Sequence, residues 1–96
     1  MLKVERIDQQ IRLSGELDRY TVPAVCPFTE LAKQQGPLQL CLAGLSHVDT
    51  AGLAWLLEQV EQANKRDVAL SLHEVPEQLQ RLIDVSGVRT ILPIVG

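Results

Sequence analysis

Aromatic side chains are nearly absent from this chain: one Phe, one Tyr and one Trp among 96 residues. A core must therefore be built from Leu, Val, Ile and Ala, as in α/β domains whose buried parallel strands are rich in aliphatics. The same scarcity removes the stacking platforms that hold single-stranded nucleic acids. Positive charge is also thin. Nine Lys and Arg stand against twelve Asp and Glu, for a net charge of −3, and the basic residues are scattered. No nucleic-acid partner is expected from such a surface. Long apolar runs are missing, and none approaches the roughly 20 residues that span a bilayer. The opening "MLKVERID" is charged and strand-like, unlike a signal peptide. The expectation is a cytoplasmic protein that meets a membrane only through a partner.

Cysteine is limited to Cys26 and Cys41, both in apolar stretches on different expected elements. Both are expected to be buried thiols acting as small hydrophobes. His47 and His73 share no ligand spacing with them, so neither a metal site nor a cofactor is expected.

What the chain does have is patterned hydrophobicity, 46% of residues, which excludes a disordered chain. The length suits one domain, residues 1–96. "LKVERI" (2–7) and "IRLSGEL" (11–17) alternate with period two around a polar "DQQ", the pattern of an antiparallel hairpin. A helix is expected from about Val25, delayed by Pro23 and Pro27, and stopped at Gly36. "LQLCLAGL" (38–45) is an apolar run suited to a central buried strand. A helix over roughly 50–65 follows, and then a strand in "DVALSLHEV". Pro76 opens a last helix with Leu79, Leu82, Ile83 and Ser86 on one stripe, which Gly87 can end. "VRTILPIVG" can add a strand or a helical turn. The fold class is α/β: a small mixed β-sheet with helices packed on it, in the order β-β-α-β-α-β-α.

The chemistry concentrates in "LSHVDTAGLAWLLE" (45–58), where a strand meets a helix. A phosphate loop would need a Lys followed by Ser or Thr, and none is here. Ser46, His47, Asp49 and Thr50 are too close in sequence to orient one another as nucleophile and base, so no enzyme is expected. Asp49 or Thr50 caps the helix, and Gly52 permits close backbone approach. At about 100° per residue, Leu53, Leu56, Leu57 and Val60 form the stripe that faces the sheet. Ala51, Trp55, Glu58 and Gln62 then point away, and an outward Trp reads as a docking anchor.

Two motifs in sequence, "LSGELD" (13–18) and "VDTAGLAWLL" (48–57), resemble those of the STAS domain family (sulfate-transporter and anti-sigma-factor-antagonist), with the element order agreeing over nearly the whole chain. Within it the chain resembles the MlaB-type subunit of the Mla phospholipid ABC transporter, including a threonine directly after the aspartate. That resemblance implies a non-catalytic, single STAS-like domain. It would dock on the cytoplasmic ATPase (MlaF-type) of a complex with permease and lipid-binding subunits, peripheral to the inner membrane, and support outer-membrane lipid asymmetry. The docking surface would comprise Asp49, Thr50, Ala51, Gly52, Leu53 and Trp55, rimmed by Glu16 and Asp18. The alternative within the family is a partner-switching anti-sigma-factor antagonist. Such proteins carry a phosphorylatable serine two positions after the motif aspartate, which here is Ala51. Ala51 has no hydroxyl, which favours a constitutive adaptor, and Thr50 is the remaining hydroxyl at the helix N-terminus.

Overall fold

β1 (Leu2–Ile7) and β2 (Gln10–Leu17) form the expected antiparallel hairpin in the computed structural model, which describes residues 1–26, 28 and 36–95. Asp8 turns the chain at φ 53°, a left-handed conformation that Asp tolerates. β3 (Leu38–Val48), α1 (Thr50–Lys65), β4 (Leu70–His73), α2 (Glu77–Ser86) and β5 (Ile94–Val95) follow. The five strands lie in the order β1-β2-β3-β4-β5, antiparallel at the first pair and parallel at the rest. The sheet is mixed, as the element order implies. The tail supplies both a 3-10 turn, Arg89–Ile91, and the edge strand β5. Most of the helix expected before Gly36 lies outside the described residues. Within them Val22–Val25 makes a single 3-10 turn, with Pro23 at its start.

Alternation along the strands sorts the sheet into two faces. Ile11, Leu13 and Leu17 of β2 are buried, as are Leu38, Leu40, Leu42, Leu45 and Val48 of β3. They pack with Leu53 and Leu56 of α1, Leu72 of β4, and Leu79 and Ile83 of α2 in one aliphatic cluster. Arg12, Gln39 and Ala43 on the other face are exposed. Cys41 shares their side of β3 yet is only 3% exposed, and its thiol donates to the Glu74 carboxylate at 3.0 Å. Cys26, expected to be buried, is exposed, because it leaves the 3-10 turn as an extended residue outside the core. The α2 stripe also ends sooner than expected: Leu82 is half-buried and Ser86 exposed, while Gly87 closes the helix at φ 70°.

β3 outruns its apolar segment. Its register with β2 continues to Leu17↔Val48 through two irregularities, whereas β4 pairs only with Leu38 to Cys41. The far end of β3 finds another partner. The Gln78 amide of α2 accepts from the Val48 N–H at 2.9 Å and donates to the Val48 carbonyl at 2.8 Å, standing in for a neighbouring strand.

α1 corrects the expectation for Trp55. Its buried residues are Gly52, Leu53, Trp55, Leu56, Gln59 and Ala63, while Leu57 and Val60 are only half-buried. The buried arc is rotated from the predicted stripe because the helix packs against the sheet on one flank and the chain near Val25 on the other. The Trp55 indole N–H donates to the Val25 carbonyl at 3.1 Å, and its ring meets Phe28 edge-on at 5.0 Å. Trp55, 4% exposed, is a core residue. No helix among the described residues is long and apolar enough to cross a membrane.

Candidate docking site

The parallel pairing of β2 and β3 brings their C-terminal ends side by side, and both motifs sit there. Asp49 leaves β3 with its N–H donating to the Leu17 carbonyl at 3.3 Å. Its Oδ1 accepts the Gly52 N–H at 2.9 Å, capping α1 as the sequence implies. Its Oδ2 accepts the backbone N–H of Arg19 at 3.2 Å and the Arg19 Nε–H at 3.3 Å. One carboxylate thus joins the start of the helix to the loop after β2. Partial burial pushes the Asp49 carboxyl upward in pKa. The N–H bonds from Gly52 and Arg19 and the guanidinium charge outweigh it, so the net direction is below the ordinary aspartate value. Gly52 is needed for this junction, since a Cβ there would collide with the Leu17 carbonyl oxygen.

The loop after β2 is fixed by its own side chains. Asp18 Oδ1 accepts the N–H groups of Tyr20 (2.9 Å) and Thr21 (3.1 Å). The Thr21 hydroxyl donates to the Glu16 carbonyl at 2.8 Å and accepts the Asp18 N–H at 3.0 Å. These are the local side-chain bonds that let Asp and Thr build turns without a ladder. The Glu16 carboxylate receives the Met1 ammonium at 2.5 Å. The Ser46 hydroxyl donates to the Gly15 carbonyl at 3.1 Å, tying the two strand ends again.

The expected docking residues therefore separate into two groups. Glu16 and Thr50 are exposed, and Asp18, Asp49 and Ala51 are half-buried around them. Gly52, Leu53 and Trp55 lie inside. The accessible surface instead includes Arg19 and Tyr20, which sequence reasoning passed over. Tyr20 is exposed, with the Arg19 guanidinium carbon 5.7 Å from its ring centroid. The available signal was Asp18 and Thr21 three residues apart, a turn pattern that presents the two residues between them. Among the described residues no group of three or more His, Cys, Asp or Glu is placed to hold a metal ion.

A family model described as "Mlab, STAS domain" matches residues 1–95. The anti-sigma-B factor antagonist of Bacillus subtilis is 31% identical over 94 residues, spanning 97% of this chain and 86% of the relative. That of Staphylococcus epidermidis is 29% identical over 87 residues, spanning 88% and 81%. Among solved structures, an anti-sigma factor antagonist from Mycobacterium paratuberculosis superposes with a TM-score of 0.80 at 22% identity, over 98% of this chain and 83% of that one. The anti-sigma factor antagonist SpoIIAA in its unphosphorylated form gives 0.70 at 13% identity, over 100% and 88%. At these identities the structures establish the fold. The relatives correct the functional expectation. An adaptor for the ATPase of a phospholipid ABC transporter is overturned by these relatives, which are named as anti-sigma-B factor antagonists. With it fall the expected ATPase, permease and lipid-binding partners.

Proposed function

This chain belongs to the STAS domain family, and from that premise we propose that it is an anti-sigma-factor antagonist. Residues 1–96 act as one STAS domain that binds an anti-sigma factor and so relieves the inhibition of a sigma factor. The observation that carries the reading is the 31% identity to such an antagonist over 97% of this chain. The protein works by occupancy rather than turnover. Contact is made through the surface around Glu16, Asp18, Asp49, Thr50 and Ala51.

Thr50 is the switching position of this surface. It is the exposed first residue of α1, beside the Asp49 carboxylate that caps the helix. A phosphate there adds about −1.5 to −2 charges at neutral pH. A partner docked on the unphosphorylated surface would then face a dianion. The lack of a hydroxyl at Ala51 leaves Thr50 as the acceptor in the motif.

The test is direct binding of purified anti-sigma factors from the same genome to the wild type and Thr50→Glu. One anti-sigma factor should bind the wild type, and the charged variant should lose at least about tenfold in affinity, on the scale of a central interface contact. Failure of every anti-sigma factor to bind the wild type overturns the proposal.

A further inference from the structure

Tyr20 is 82% exposed on a loop that is otherwise tied down. Its N–H is held by Asp18, the next residue is held through both N–H and hydroxyl, and the preceding residue is held by Asp49. Arg19 lies against the ring. The loop is therefore set before any partner arrives. A pre-positioned aromatic loses little freedom on docking, which is why Tyr is enriched among residues that dominate interface energy.

The charges around it are unequally satisfied. Glu16 is engaged by the Met1 ammonium, Asp18 by two backbone N–H groups, and Asp49 by Gly52 and Arg19. Arg19 spends only its Nε–H and its backbone N–H on Asp49. Its two terminal nitrogens make no hydrogen bond to any described residue, on a side chain 69% exposed. The cation is the group with donors to spare, in the planar fork that carboxylates fit.

We infer that Tyr20 is the aromatic anchor of the docking surface, and that the anti-sigma factor receives it in an apolar pocket edged by a carboxylate that pairs with Arg19. The inference rests on the proposed function and names the residues that give it affinity. Tyr20 takes the part that the sequence assigns to Trp55.

The experiment places the photo-crosslinker p-benzoylphenylalanine at position 20 and, separately, at position 50 of the full chain in host cells. Binding of the captured anti-sigma factor is then measured for Tyr20→Ala, Tyr20→Phe and Arg19→Gln. The inference expects an anti-sigma factor captured from position 20. It expects Tyr20→Ala to bind about tenfold or more weakly with an unchanged melting temperature, and Tyr20→Phe to stay close to wild type. It also expects Arg19→Gln to bind with a shallower dependence on ionic strength. Capture of an anti-sigma factor from position 50 alone, or wild-type binding by Tyr20→Ala, overturns the anchor and leaves the function standing. An unaltered salt dependence for Arg19→Gln overturns the carboxylate partner. Capture of some other protein from position 20, or of nothing from either position, overturns function and anchor together.

Discussion

Asp49 holds three donors with two oxygens, and the consequence is a pH-dependent junction. Its folded pKa is below the ordinary aspartate value. The stability it contributes is therefore fully present above the unfolded value, near 4, and is lost as pH falls through the lowered folded value. Asp49→Ala should destabilise the domain at pH 7 by about 1 to 2 kcal/mol, the range for losing an N-cap. The gap to wild type should shrink below about pH 4, as urea melts across pH will show. The capping role is legible in the sequence, because caps are read from residue type and position. The bond to Arg19 is not, because it links residues thirty apart in sequence and exists only once β2 and β3 are paired. Trp55 fails for a related reason. A helical wheel locates a stripe but not a second flank, and the second flank is chain from before β3.

At the scale of elements, the long β3 is the unexpected one. Its stretch from Leu38 to Leu45 is a nearly continuous apolar run and is plain in the sequence. Its end beyond Leu45, with exposed Ser46 and His47, is not read as strand until β2 is laid beside it. Gln78 then becomes structurally important despite being a polar residue on a helix surface. Gln78→Leu leaves the Val48 N–H and carbonyl without partners and should cost about 1 to 3 kcal/mol. Gln80→Ala, two residues further along α2 and on an exposed contact to the Val75 carbonyl, should stay within about 0.5 kcal/mol. Chemical denaturation of the two variants beside wild type separates them. The motif after β3 shows why family was easier to read than partner. Val48 is buried, Asp49 caps, Gly52 admits the Leu17 carbonyl and Leu53 fills the core. Those residues specify a fold, and a fold hosts more than one function. Preference for one branch of the family rested on the wording of the two motifs, with Thr50 and Ala51 the distinguishing positions, and the relatives decided otherwise.

For the whole molecule, the two thiols measure different events. Cys26 is exposed, whereas Cys41 is 3% exposed beneath its bond to Glu74. An aromatic disulfide reagent should label Cys26 in the mixing phase and Cys41 only as fast as the sheet opens. The second rate should rise in step with global destabilisation in Gln78→Leu. Equal, rapid labelling of both would show that Cys41 is reached without opening the sheet. The expectation of two buried thiols came from apolar neighbours in sequence. It holds for Cys41 on a central strand and fails for Cys26, which is exposed although Val25 and Phe28 on either side of it pack on the core.

The few aromatic rings of this chain also divide its optical properties. Its single indole sits in the interior, bonded to Val25 and edge-on to Phe28, and its single phenol stands in solvent on the loop beside α1. Tryptophan emission therefore reports the seating of the 3-10 turn on the helix, and tyrosine absorbance reports the outer loop. The native sequence carries separate spectroscopic channels for its interior and its surface, with no label added.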